Sequence, residues 1–180
     1  SFLSHILQQK ESSNINLHLY QQRGLPPKLL GRINDHLRQL MNCTERLVKA
    51  TPTSFQFSSV ETIKVEDESK NLFKCLEEFM VLCPTRKGIW GVNEVDKSIL
   101  GESLGKGIEG WPQGTPVMCG ENLDELKLSN GDVGVVIGER DNRRIIFRTF
   151  SEDAELSTQF VHPARLKSIT PAIAITIHKA

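Results

Sequence analysis

Leu72-Phe73-Lys74-Cys75-Leu76-Glu77-Glu78-Phe79-Met80-Val81-Leu82-Cys83-Pro84 is the stretch whose reading decides the fold. Leu72, Phe73, Leu76 and Phe79 recur at spacings of three and four, which gives a helix over residues 68–79 one apolar face. Met80 to Cys83 is then a short apolar run, ended by Pro84, whose ring removes a backbone donor. A helix feeding a buried strand is the signature of an α/β layer. After a loop over residues 85–91, Asn93 opens a segment with Val95, Ile99 and Leu100 on one side, which predicts a short helix with Asn93 as its N-cap. Residues 172–177 are apolar at nearly every position, the pattern of a strand buried on both faces of a parallel sheet, so the chain is expected to return to the first layer.

Outward from this frame, residues 1–50 carry helical periodicity in two pieces, broken at Gly24-Leu25-Pro26-Pro27. In the second piece Leu29, Leu30, Ile33, Leu37, Leu40, Met41 and Leu47 make one apolar face. The intervening Lys28, Arg32, Arg38 and Arg46 fit a solvated face better than a DNA-binding stripe. Residues 51–66, rich in Thr and Ser with alternating Phe55, Phe57, Val60, Ile63 and Val65, predict a connector containing a short strand. Residues 101–114 are glycine-rich and irregular. From Thr115 the pattern changes to short β-type runs at 116–119, 134–137, 144–147 and 159–161, separated by turn formers such as Asn130-Gly131-Asp132. Closely spaced short strands of this kind predict a small antiparallel barrel inserted into the α/β domain.

Composition narrows the function classes. Lysine plus arginine and aspartate plus glutamate balance at 22 each, so no global positive field draws nucleic acid or a membrane surface, and any DNA contact is local. The four cysteines stand far apart with no CxxC pair, and the five histidines supply no metal-ligand spacing beside them. They read as reduced, buried thiols, and no metal ligand is assigned. No apolar run approaches the roughly 20 residues that span a bilayer, and Ser1-Phe2-Leu3-Ser4-His5 lacks the basic and apolar regions of a signal peptide. The expectation is a soluble, cytoplasmic chain. The chain begins without Met and stops at Ala180 straight after an apolar run, and is expected to be a piece of something longer.

Gly101-Glu102-Ser103-Leu104-Gly105-Lys106-Gly107 has the look of a phosphate loop and fails its chemistry. Such a loop needs four residues between its glycines and a Ser or Thr after the lysine to hold magnesium. Here three residues intervene and Gly107 follows Lys106, so a surface loop is the better reading.

Three other segments carry a resemblance. The run from Val81 to Asn93 (Val81-Leu82-Cys83-Pro84-Thr85-Arg86-Lys87-Gly88-Ile89-Trp90-Gly91-Val92-Asn93) is a strand ending in a basic, glycine-containing loop that leads into a helix. Gly114-Thr115-Pro116-Val117-Met118 is followed by Asn130-Gly131-Asp132-Val133-Gly134, and the chain closes on Ala174-Ile175-Thr176-Ile177-His178-Lys179. In order and spacing these resemble the corresponding segments of RecD-type helicases, the alpha subunits of exodeoxyribonuclease V. The likeness is close over residues 80–180 and weak over residues 1–79. The Gln-Gly-Ser-Glu that follows the last motif in the family is absent here.

The resemblance implies an α/β fold: a RecA-like second motor domain, with a parallel sheet, at residues 68–114 and 162–180, an inserted SH3-like β-barrel at 115–161, and a helical segment with its connector at 1–67. It implies a parent that hydrolyses ATP with magnesium, translocates on single-stranded DNA and unwinds duplex ends in double-strand-break repair, with RecB and RecC subunits as partners. Arg86 and Lys87 lie equally well placed just beyond a strand end, where open α/β sheets present ligand-binding loops. The resemblance assigns to Arg86 the catalytic role of a cation facing the γ-phosphate, as an arginine finger does. It also assigns nucleotide and nucleic-acid contacts to Thr176, nucleic-acid contacts to His178 and Lys179, and a place beside the DNA path to Asn130. Which of Lys127, Arg140, Arg143 or Arg144 touches DNA is left open. Lacking a phosphate loop, the chain by itself is expected to be silent as an ATPase. The competing expectation is a non-catalytic module whose small barrel docks a peptide or a nucleic-acid strand.

Overall fold

The computed structural model describes residues 24–51, 59–150 and 156–177. The helical reading of residues 1–23, and His178 and Lys179, lie outside them. The first helix, α1 (Pro27–Ala50), starts on Pro27, whose fixed φ suits a helix start. Its Ile33, His36, Leu40, Cys43, Thr44 and Leu47 are buried at spacings of three and four. Its three arginines are occupied at the surface: Arg32 lies 5.2 Å from the centre of the Phe79 ring, Arg38 pairs with Asp35 at 3.0 Å and Arg46 with Glu68 at 3.4 Å. The solvated-face reading fits these arrangements.

The second helix, α2 (Ser59–Glu77), packs along α1. It begins nine residues before the predicted start at 68, so the short strand expected within 51–66 is replaced by helix from residue 59 onward; residues 52–58 are not described. Val65, Leu72, Phe73 and Cys75 bury against Leu40, Cys43 and Leu47 of α1. That long-range packing overrides the weak helix propensity of a start rich in β-branched residues, Val60, Thr62, Ile63 and Val65.

Two sheets follow. β1 (Val81–Cys83) and β7 (Ala174–Thr176) pair in parallel, in the register Val81↔Ala174, Leu82↔Ile175 and Cys83↔Thr176. The shared parallel sheet read from the sequence is therefore present. Its burial is uneven: Val81, Cys83 and Ala174 face the core, Ile175 and Thr176 are half-buried, and Leu82 and, just after β7, Ile177 are each 57% exposed. The two-sided burial expected of residues 172–177 holds for Ala172, Ile173 and Ala174 and is lost toward Ile177. Between the two strands lies α3 (Val92–Leu100), which packs against β7.

The other sheet is antiparallel, in the order β5-β4-β3-β2-β6, built from β2 (Pro116–Cys119), β3 (Val133–Ile137), β4 (Arg144–Phe150), β5 (Leu156–Val161) and β6 (Ile169–Pro171). It does not close: among the described residues β5 and β6 remain its edges, and β6 comes from beyond residue 161. The reason lies in the strands themselves. Val135, Ile137 and Ile146 pack on α1 and α2, while Val136, Ile145 and Phe147 pack into the core that holds β1 and α3. Consecutive apolar residues thus serve two buried faces, whereas a small barrel has only its interior to fill.

Backbone contacts join these layers. Gly114, at φ +86, lies so close to α1 that an added Cβ would stand 2.8 Å from the Met41 nitrogen. Gln113 donates to Thr44 Oγ1 at 3.1 Å and accepts from the Gly138 amide at 3.1 Å, tying α1 to the turn after β3. The glycine-rich stretch is not irregular: Gly101–Glu109 forms 3-10 turns kinked at Gly107. Trp111 is buried just after it.

Candidate functional site

The parallel register decides what meets what. Because Cys83 pairs with Thr176, both strands end at the same edge, and the Ile177 amide donates to the Cys83 carbonyl at 3.0 Å. The turn carrying Arg86 leaves from this edge, so Arg86 and Thr176 belong to the same end of the sheet. Arg86 is exposed and Thr176 half-buried.

The turn is held by its own backbone. Thr85 Oγ1 donates to the Lys87 carbonyl at 2.7 Å, and the Gly91 amide donates to the Gly88 carbonyl at 3.0 Å. The carbonyls of Thr85 and Arg86 accept the amides of Val92 and Asn93 at 3.1 and 3.0 Å. Two of the four orphan donors at the start of α3 are thereby satisfied by the turn itself. Gly91, not Asn93, stands at the N-cap, with no side-chain cap bond. The turn needs a residue without a Cβ there, since one at Gly91 would lie 2.7 Å from the Arg86 carbonyl oxygen.

Beneath the turn sits a residue that the sequence reading did not single out. Asp96 is only 6% exposed, and its Oδ1 is buried without a hydrogen-bond partner. Burial pushes its carboxyl up to about 7, and the positive charge of Arg86 partly opposes that rise. Burial, and after it the neighbouring Asp96, also push the Cys83 thiol up. A signal existed: Val92, Asp96 and Leu100 stand four apart on the buried face of α3, where an aspartate breaks the apolar pattern.

The remaining candidates are dispersed. Asn130 lies in the long β2–β3 connection, in a turn closed by the Asp132 amide on the Ser129 carbonyl at 3.0 Å. Of the pair only Gly131 has positive φ, so Asn130-Gly131 makes a turn within the connection and not a two-residue hairpin loop. The Asn130 amide is held by Asn122 Oδ1 at 2.8 Å, and the residue is exposed. Of the four basic residues left open, Arg143 turns inward and donates to the carbonyls of Ile108 and Trp111. Arg144 donates to the Arg143 carbonyl at 2.7 Å, while Lys127 and Arg140 are exposed at positive φ. All four cysteines are buried and unpaired. Among the described residues no three His, Cys, Asp or Glu side chains gather as a metal site, and no helix is long and apolar enough to cross a membrane.

No family model matches the chain. The RecBCD enzyme subunit RecD of Mycolicibacterium smegmatis is 31% identical to it over 117 residues, which is 63% of this chain and 20% of that protein. The RecBCD enzyme subunit RecD of Buchnera aphidicola subsp. Acyrthosiphon pisum is 26% identical over 128 residues, 67% of this chain and 21% of that protein. The chain thus spans about a fifth of the length of the curated relatives it matches. Over roughly two thirds of its own length it is similar to RecD subunits of RecBCD enzymes, and the RecD-type resemblance read from its motifs is borne out.

Proposed function

We propose that this chain is part of an ATP-driven DNA helicase subunit of RecD type, supplying one wall of its nucleotide site and part of its single-stranded DNA track. The observation that carries the reading is the pairing of Cys83 with Thr176, which brings the Arg86 turn and a hydroxyl-bearing strand end to one edge of a parallel sheet. Ligands of open α/β sheets bind at the carboxyl ends of the strands. An exposed guanidinium and a half-buried hydroxyl are both suited to phosphate oxygens. The donor set fits the outer phosphate of a nucleotide and does not fit its magnesium, since among the described residues no cluster of carboxylates stands there. A RecD-type parent would hold the phosphate loop and the metal ligands elsewhere in its polypeptide, and bound ATP would supply the bond whose hydrolysis drives movement.

In this reading residues 68–114 and 162–180 form part of a RecA-like second motor domain. Residues 115–161 form an SH3-like insertion, with β6 completing its sheet. Arg86 stabilises negative charge on the γ-phosphate held by a facing domain. Thr176, with His178 and Lys179 just after it, couples that site to DNA, and Asn130 faces the strand. The subunit acts on single-stranded DNA and duplex ends in the cytoplasm together with RecB and RecC, in double-strand-break repair and recombination. The test is ATP turnover at saturating single-stranded DNA by the full-length polypeptide and by its Arg86→Ala variant. Equal turnover overturns the assignment.

A further inference from the structure

Within the electrostatic reach of Arg86 lies a buried carboxyl group, that of Asp96, to which the proposed function gives no task. Asp96 lies one turn into α3, and the same helix start is bonded to the Arg86 carbonyl through the Asn93 amide at 3.0 Å. The carboxyl is nine-tenths buried, with Oδ1 unpartnered, whereas a buried carboxylate normally finds hydrogen-bond donors or a cation. Arg86, exposed on the turn above it, forms no ion pair with a described residue. β1 contributes the Cys83 thiol to the surroundings of Asp96, and β7 contributes no charged group among its residues. Glu94 and Lys97 share its helix, Lys87 shares the Arg86 turn, and Glu102 and Lys106 follow the helix; of all these charges, Arg86 is the one that acts on Asp96 among the described residues.

We propose that Asp96 is the positioning residue of Arg86: its ionised carboxylate draws the guanidinium back toward the β1–α3 turn, and its protonated form releases the guanidinium outward to an anionic phosphate. The inference rests on the reading of Arg86 as a phosphate-facing cation. Its physical basis is competition for one cation by two anions. With Asp96 ionised, the lone buried charge lowers its energy by approach of the guanidinium. When a phosphate takes the guanidinium, the carboxylate loses its counter-charge and takes up a proton from solvent, so phosphate engagement and proton uptake are linked. Gly91 keeps the turn close enough to α3 for the exchange, because no side chain separates it from the Arg86 carbonyl.

Two measurements test the proposal and separate it from the functional reading beneath it. The first is a side-chain carboxyl NMR titration of this chain, comparing wild type, Arg86→Ala and Arg86→Lys. Removing the exposed arginine is expected to move the Asp96 midpoint to higher pH, and the lysine variant to bring it back. An unmoved midpoint overturns the proposal regardless of any activity. The second is the pH profile of DNA-stimulated ATP turnover by the full-length polypeptide. Wild-type turnover is expected to fall as pH rises through the Asp96 titration, while Asp96→Asn, an uncharged isostere, keeps the low-pH level throughout. Parallel profiles overturn the proposal. A moved midpoint combined with turnover indifferent to Arg86→Ala supports the Arg86–Asp96 coupling and overturns the phosphate-facing role of Arg86.

Discussion

The guanidinium of Arg143 donates to the main-chain carbonyl of Trp111 at 2.6 Å from a side chain only 8% exposed. A second bond from the same nitrogen reaches the Ile108 carbonyl at 2.8 Å. A basic residue at the start of a strand thus serves as an internal clamp, fastening the 3-10 segment before Trp111 to the β3–β4 hairpin. Arg143→Met leaves two carbonyls without their donor and is expected to destabilise the chain by about 2–4 kcal/mol, the scale of two bonds to a charged group less the relief of burying that charge. Urea unfolding measures it. A loss below about 0.5 kcal/mol, the range of ordinary surface substitutions, would return Arg143 to the pool of DNA-facing cations.

Gly91 is expected to tolerate no side chain. Its φ of −91° is open to any residue, so the cost of Gly91→Ala is one of space. The new Cβ would meet the Arg86 carbonyl oxygen at 2.7 Å and the Lys87 carbonyl carbon at 2.8 Å, both backbone atoms that cannot rotate away. Overpacking of this kind costs about 1–3 kcal/mol. Amide exchange is expected to quicken at Val92 and Asn93, whose bonds to the turn would open, and unchanged protection there would contradict the account.

Asp96 makes stability depend on pH in an unusual direction. Its carboxyl titrates at about 7 in the folded chain against a reference value of 3.8, so between those values the native state holds the extra proton. Stability therefore falls as pH rises from about 4 to about 7, and levels off above. Asp96→Asn removes this dependence and is expected to gain roughly 1–3 kcal/mol over wild type on going from about pH 5 to about pH 8. Denaturant melts at the two pH values decide it; a constant difference between the proteins would show that Asp96 does not titrate in this window.

Arg86→Ala in the full-length polypeptide separates two roles in one experiment. An arginine finger contributes on the order of 10³–10⁵ in rate, while losing one phosphate-backbone contact weakens DNA binding and makes its salt dependence shallower by about one charge. Turnover is expected to collapse with the salt slope preserved. Near-normal turnover with a shallower slope would move Arg86 to the DNA track, and Lys87 gains no catalytic role by default.

The thiols are expected to be inert. Burial, and then the adjacent Cys43, push Cys75 up to about 11, and all four cysteines are buried. Since the thiolate is the reacting form, iodoacetamide at about pH 8 is expected to modify the native chain far more slowly than the urea-unfolded chain. Rapid labelling of Cys75 in the folded state would mean that α1 and α2 separate readily.

Local periodicity by itself determined the run of elements. α1, the strand ending at Cys83, α3 and the main strands of the second sheet lie where spacings of three and four, or short apolar runs between turn formers, put them. The RecD-type motifs were equally legible, because they are local strings. Boundaries moved where packing outweighed propensity: α2 reaches back to Ser59 along α1, and α3 starts at Gly91 rather than Asn93 because the carbonyls of Thr85 and Arg86 take up the Val92 and Asn93 amides, so the first helical turn forms ahead of the asparagine.

Only the tertiary structure decided what each apolar or charged side chain faces. Val135-Val136-Ile137 reads the same whether its strand lines a closed barrel or an open sheet covered on both sides, and the helices that cover it come from some 60 to 100 residues earlier in the chain. Arg143 is one basic residue among several until Trp111 folds beneath it, and Asp96 is one acid on a short helix until β1 and the Arg86 turn close over it. The register of Cys83 with Thr176, on which the functional reading rests, joins positions more than 90 residues apart. Sequence periodicity reports which side chains avoid water, whereas the partner that excludes the water is chosen by long-range packing, which no local pattern contains.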